Sequence, residues 1–243
     1  MADPLAIGLS ELTTLLLSRG DVAESPCAVA DIVARMLPGS LLVGVTLTQV
    51  QGSVVGGSAE AHPMVLEESR LSDGHDPATQ AMTTAQEVSI PDVAQEHRWG
   101  AYQRRMLARG VKSVHIQPVS AAGAALGALS LYSNQAHTFT TQLCQDAALI
   151  AEHIGVLLAV DIDSARQTAL TEQLRAALAS RSTIDQALGI VMAERRCTRD
   201  SAFAALRDRS QRHNIRIAEL AADIIEAVSG SAPGPVHFAE PQL

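Results

Sequence analysis

A chain of 243 residues, 47% hydrophobic and 18% charged, has the material for two packed domains, and its net charge of −8 excludes a protein that wraps nucleic acid with its whole surface. Its three cysteines, Cys27, Cys144 and Cys197, are far apart and odd in number, which excludes a disulfide framework and a Cys-x-x-Cys zinc site and fits a reducing compartment. No segment reads as eighteen apolar residues in a row, so a soluble, cytoplasmic chain with no membrane span is expected behind Met1-Ala2-Asp3-Pro4.

In chain order, helices are expected at Leu5–Ser18 and Cys27–Met36. Leu41, Val43, Val45 and Leu47 then alternate with Leu42, Gly44, Thr46 and Thr48, the two-residue period of a strand. Ser53–Ala59 is its hairpin partner across Gln51-Gly52, and Ala85–Ile90 adds an edge strand ended by Pro91. Val114, Ile116 and Pro118 alternate with Ser113, His115 and Gln117, and Ala121-Ala122-Gly123 turns the chain into Leu126–Tyr132. A further helix starts at Gln142. Residues 1–160 therefore read as an α+β domain, an antiparallel sheet flanked by helices, with Val111 and Leu129 in its core and Trp99 and Tyr102 as structural aromatics ahead of the alternative that they line a ligand cavity.

Leu143, Ala147, Ile150, Ile154 and Leu157 step by four and three, which is heptad spacing. The run is consistent with a helix packed on its own sheet or with a helix pairing two subunits. Asp161 and Ser164 interrupt it, and Leu170, Leu174 and Leu178 restart it, so residues 161–177 read as a helical linker in which two coiled-coil registers could compete.

Behind the linker, residues 178–230 read as three helices. Ile184, Leu188 and Val191 share one face, and the pattern falters at Arg195-Arg196-Cys197. Thr198 is an N-cap with Asp200 in the first turn of a short second helix, whose Ala202, Phe203 and Leu206 face inward. After Gln211-Arg212-His213-Asn214 comes the strongest stripe, Ile217, Leu220, Ala221, Ile224, Ile225 and Val228. Helices this short need one another, so a small core closing around Phe203 is expected. Residues 231–243, with Pro233, Pro235 and Pro241, read as a disordered tail.

Charge separates the two halves. Residues 181–230 hold eight arginines and seven acids, a net +1 that leaves −9 for the remainder, so RNA phosphate is tolerated only at the rear, where Arg207, Arg212 and Arg216 flank the last turn. A solvated, salt-bridged helix face would show the same mixture. No catalytic constellation accompanies this. The histidines at 62, 75, 97, 115 and 137 lack metal-ligand spacing, the acids at Glu67-Glu68 and Asp73–Asp76 have no Ser/His partners, and no Gly-rich phosphate loop is present. An enzyme is not expected, nor a cofactor.

Two resemblances add to these readings. Ser180-Arg181, Ile184, Gln186-Ala187, Gly189-Ile190, Met192, Ala202-Phe203, Leu206-Arg207, Ser210-Gln211, Asn214 and Ala221 resemble the ANTAR domain, whose members are RNA-binding transcription antiterminators. Two departures stand out. Leu188 replaces a usual lysine, removing a cation from the expected RNA face. Arg196 stands where glycine is common, so a left-handed residue there would cost about 1 kcal/mol more than glycine would. Asp92, Arg98-Trp99, Gly110-Val111-Lys112-Ser113-Val114, Pro118-Val119 and Leu126–Ser133 are similar to the GAF domain, a sensory or dimerising module. Asp76-Pro77-Ala78 stands where some relatives show Gly-Pro-Cys, so thiol chemistry at that point is excluded.

The resemblances imply a signal-responsive antiterminator, a homodimer binding paired RNA stem-loops, with an unknown small-molecule ligand in the GAF-like domain. Carried over where residues match, the RNA-binding set is Arg181, Gln186, Arg207, Ser210, Gln211 and Asn214, with Arg216 in place of a lysine; Ala187, Gly189, Met192 and Phe203 are structural. A helix-turn-helix-like DNA-binding regulator and a module docking a protein partner are the alternatives, separated by nucleic-acid competition and by ribonuclease resistance.

Overall fold

The computed structural model describes residues 3–18, 26–48, 54–58 and 76–231. The turn at Gln51-Gly52, the acids at 67, 68 and 73, His62, His75 and the tail from residue 232 lie outside them. The chain divides into two compact units, Met1–Ser164 and Ala165–Leu243.

The first unit is built on a five-stranded antiparallel sheet in the order β2-β1-β5-β4-β3, from β1 (Leu42–Thr48), β2 (Val54–Ser58), β3 (Val88–Ile90), β4 (Ser113–Ala121) and β5 (Ala124–Ser133). The expected hairpin pairs Thr48 with Val54, and the central register sets Val45 against Leu129. Alternation distributes the side chains of each strand between two cores. Val43, Val45 and Leu47 of β1 with Leu129 and Leu131 of β5 meet α1 (Pro4–Ser18), α2 (Pro26–Met36) and the first part of α5 (Thr141–Arg195). Val114 and Ile116 of β4 with Ala128 and Tyr132 of β5 meet α3 (Pro77–Thr84) and α4 (Gly100–Ala108) on the opposite face. The sheet is thus covered on both sides.

The heptad residues Leu143, Ala147, Ile150, Ile154 and Leu157 all belong to the first of these cores. They are spent on the unit's own sheet, so this run is not a seam between subunits. Thr13 bonds His153 at 2.9 Å and ties α1 to the same helix. The helix also corrects the hydropathy reading: it contains an 18-residue window of mean hydropathy 1.6 with no more than two charged residues, and 44% of that window is buried inside the fold.

Neither α3 nor α4 was anticipated from periodicity. Asp76 begins α3 by accepting from the Ala78 and Thr79 amides at 2.9 Å, with Pro77 at the first helical position. This is an N-cap arrangement in which proline loses nothing, because that amide has no helical partner. The residue that departs from the Gly-Pro-Cys pattern is therefore a helix cap.

In the second unit, the end of α5 packs with α6 (Arg199–His213) and α7 (Ile217–Ser229) around Leu188, Val191, Ala202, Leu206 and Leu220. Thr198 caps α6 as expected, accepting from Ser201 N, and the turn before it holds Arg196 at φ +50°. Three expectations are corrected. The second helix runs fifteen residues and is not short. Phe203 is 40% exposed, because the buried line of α6 is Ala202, Leu206 and Ser210, four residues apart, and Phe203 stands one residue off it. Val228, at the end of the apolar stripe, is also exposed.

Candidate functional site

The residues selected for RNA contact fall in two groups. Arg181 and Gln186 stand exposed on α5, where Arg181 lies 4.0 Å from Asp185 and Gln186 donates to Ser182 at 3.4 Å. Asp185 also pairs with Arg199 at the start of α6. Arg207, Ser210, Gln211, Asn214 and Arg216 occupy the second half of α6 and the turn into α7. Arg199 and Gln211 are separated by about 18 Å along the helix axis, so Asp185 pairs with the end of α6 away from the turn into α7.

The turn is built by the sequence itself. Asn214 caps α6 in the left-handed conformation at φ +53°, a region asparagine tolerates because its short polar side chain can bond locally. Ile215 N donates to Ser210 O at 3.1 Å, and Ser210 Oγ donates to Ile215 O at 2.6 Å. Ser210 is 8% exposed. Its hydroxyl is committed to the turn, which makes Ser210 a residue that shapes the site rather than one that faces a ligand. Arg216 N–H then donates to Glu219 at 3.4 Å, opening α7 and leaving the Arg216 side chain exposed.

What remains at this end is a set of unengaged polar groups. Arg212 is held by Asp208 at 2.6 Å, but Arg207, Arg209 and Arg216 make no ion pair among the described residues. Leu188 is 3% exposed and lies in the core with Val191 and Leu206, so its side chain packs inward. The exposed neighbour Gly189 has open space where a Cβ would sit.

A second site lies in the first unit. A cavity of about 490 Å³ opens between α3 and the segment leading into α4, lined by Asp76, Thr79, Thr83, Arg98, Trp99 and Arg105 among others. Trp99 and Tyr102 are buried and also line this cavity, so they serve both packing and the site wall. Glu96 accepts from Arg98 Nη2 at 2.7 Å and from Arg98 N at 2.7 Å, and the guanidinium carbon sits 4.3 Å above the Trp99 ring. The hydrogen bonds from Arg98 hold the Glu96 carboxyl below its usual range, and Glu96 in turn raises Arg98. The wall therefore has a fixed cation over an aromatic face.

His115, one of the five histidines without metal-ligand spacing, is neither at the surface nor fully hydrogen-bonded. It is fully buried beneath the start of α5, with Nδ1 3.7 Å from Cys144 Sγ and Phe139 5.7 Å away, ring to ring. Its Nε2 finds no hydrogen bond and lies 4.0 Å from the Glu87 carboxylate. Burial lowers the His115 pKa and raises that of Cys144, so both groups are held neutral. Among the described residues no three His, Cys, Asp or Glu side chains converge as metal ligands.

Comparison with known proteins agrees with this division. The GAF domain family matches residues 28–159 and the ANTAR domain family residues 172–225. No curated protein is similar to the chain in sequence. Similar solved structures include the GAF domain of a phosphoenolpyruvate-protein phosphotransferase from Acinetobacter, at 13% identity over 65% of this chain and 95% of that one, TM-score 0.49. The corresponding domain from Coxiella burnetii has 14% identity over 67% and 96%, TM-score 0.49. Free methionine-R-sulfoxide reductase from Neisseria meningitidis has 12% identity over 68% and 95%, TM-score 0.48. With a GAF match spanning more than half of its length and an ANTAR match behind it, the chain belongs to the GAF domain family and carries an ANTAR domain at its rear.

Proposed function

We propose that this protein is a signal-responsive transcription antiterminator, in which the ANTAR domain binds paired RNA stem-loops so that a competing terminator hairpin cannot form. The observation that carries the reading is the second half of α6 with its turn, where Arg207, Gln211, Asn214 and Arg216 are exposed and Arg207 and Arg216 have no carboxylate partner among the described residues. Arginine unpaired in the protein is available to phosphate, and amide side chains at a helix end suit the edges of unstacked loop bases. The scheme contains no catalysed reaction. It operates in the cytoplasm, where nascent transcripts are, with the cavity beside Arg98 and Trp99 taking the small-molecule cue.

Two copies would present two RNA-binding ends to a pair of loops. Leu170, Leu174 and Leu178 support pairing of the second unit, since three leucines four residues apart on one helix are each about half exposed. Sedimentation that found monomer alone at micromolar concentration, with and without RNA, would remove this part of the proposal.

The test is binding of the full-length protein to a paired stem-loop RNA against loop-scrambled RNA and duplex DNA over a salt series. Loop-dependent binding is expected, and duplex DNA competing equally well would favour a DNA-binding regulator instead. Arg207→Ala should weaken binding and reduce the salt slope by about one unit if its guanidinium neutralises a phosphate. An unchanged slope and affinity would take Arg207 out of the interface.

A further inference from the structure

Phe203 has no role in either unit's core and none in the scheme above. The aromatic content of the chain is low, at six Phe, Tyr and Trp residues. Trp99, Tyr102 and Tyr132 are buried and Phe139 packs against a core, whereas Phe203 is 40% exposed on the surface of α6. Its exposed neighbours one turn away are Arg199, Asp200 and Arg207, and no second large apolar side chain is exposed on α6. One phenyl ring in a polar surround is too small a patch for a protein interface, which needs a contiguous apolar area. It is the right size for the face of a single base.

The surroundings select an anionic polymer over a neutral ring. Along α6, Phe203, Arg207 and Gln211 recur every four residues, so they line one strip of helix surface. Of the four arginines of α6, Arg199 is held by Asp185 and Arg212 by Asp208. Arg209 has no ion pair among the described residues but stands about 120° round the helix from Phe203. Arg207 is the cation that both lacks a carboxylate and shares the Phe203 strip. An aromatic face, a cation one turn on and an amide two turns on match the three parts of a nucleotide: π-face, phosphate and base edge.

We infer that Phe203 is a stacking platform for one unpaired base of the RNA loop, with Arg207 on its phosphate and Gln211 toward a base edge. The inference rests on the RNA-binding reading above and adds to it the residue that engages the base. Stacking on an aromatic ring is worth about 10- to 100-fold in affinity per base, and because it is not ionic it leaves the salt slope alone.

The experiment uses the full-length protein and the paired stem-loop RNA with 2-aminopurine at each loop position in turn. Wild-type protein should change the emission at one loop position. Phe203→Ala and Phe203→Leu should weaken loop-dependent binding about 10- to 100-fold, with the salt slope unchanged, and erase the emission change, while Phe203→Tyr should keep both. Phe203→Leu retains the apolar bulk, and an unaltered thermal melt separates lost stacking from lost fold. Should wild type bind the loops and Phe203→Leu bind equally well with the same emission change, the platform is refuted and the RNA-binding reading survives. A Phe203→Leu protein that loses self-association in sedimentation while keeping its RNA contacts would refute it too, in favour of a contact between copies. If wild type shows no loop-dependent binding, both readings fall together before any variant is made.

Discussion

The two units use their apolar residues differently. In the first, both faces of the sheet are covered and the cores include Leu12, Ile90, Met106, Leu129, Ile150 and Ile154, all essentially inaccessible. In the second, a handful of residues around Leu188 and Leu220 are buried, while Leu170, Leu174, Leu178, Phe203 and Val228 remain exposed. A small core leaves little surplus stability. Exposed apolar side chains also occur in the first unit, at Leu149, Val156 and Val160 of α5, so the two units differ in the size of the core behind the surface rather than in exposure itself.

The largest effect that would expose this contrast is expected at Gly155. A Cβ there would run into the Ser120 carbonyl of β4, a backbone atom that cannot swing aside, so Gly155→Ala should destabilise the first unit by about 3 kcal/mol. Leu220→Ala should remove about 2 to 4 kcal/mol from the second unit, since Leu220 is 2% exposed and its small core cannot collapse around the void. Hydrogen exchange resolves the two. Gly155→Ala should lose protection over β4 and β5, and Leu220→Ala over α6 and α7. If either variant lost protection uniformly along the chain, the units would be one cooperative structure and the contrast would fail.

A smaller effect distinguishes the units by pH. Burial lowers the His115 pKa in the folded state, and the opposing influence of Glu87 is the lesser one. The unfolded chain then binds a proton more readily than the folded chain. Stability from this group is therefore fully present above the unfolded value of about 6.5 and is lost as pH falls below it toward the folded pKa. The first unit should melt at lower temperature as pH drops from 7 toward 5, beyond the change shown by His115→Gln. Equal pH dependence in the wild type and His115→Gln would mean that His115 is not the titrating group.

The sequence made the alternating strands and the capped helix starts legible, because period-two runs such as Leu41–Thr48 and polar caps such as Thr198 are local signals. The α3 and α4 helices were not legible: eight and nine residues rich in Thr, Gln and Arg give no apolar stripe, although Asp76-Pro77 was a readable start. At the candidate site the difficulty was one of angle. Hydrophobicity alone placed Phe203 in the core, yet the buried line of α6 passes through the small Ala202 and the polar Ser210. For Leu188, periodicity with Ile184 and Val191 pointed inward while the family comparison pointed outward, and the packing followed periodicity. Likewise the heptad of α5 has the same spacing whether a sheet or a second helix covers it; only the rest of the fold decides.

The smallest effect concerns the turn between α5 and α6, the one place where the sequence predicted strain residue by residue. Arg196 sits at φ +50°, where its Cβ crowds the backbone, and glycine would not. The Arg196→Gly change acts on two states at once. It relieves the folded conformation by about 1 kcal/mol, but it also loosens the unfolded chain, which opposes folding by a few tenths to 1 kcal/mol. The first term leads at a left-handed position, so the second unit should gain stability, by less than 1 kcal/mol, with the first unit unaffected. Arg196 has no ion pair among the described residues, so the substitution forfeits no salt bridge there. A loss of stability would show that the arginine makes a compensating contact. A gain in stability accompanied by weaker RNA binding and a smaller salt slope would give Arg196 a place in the interface, and would explain why a strained arginine occupies a position that glycine fills at lower conformational cost.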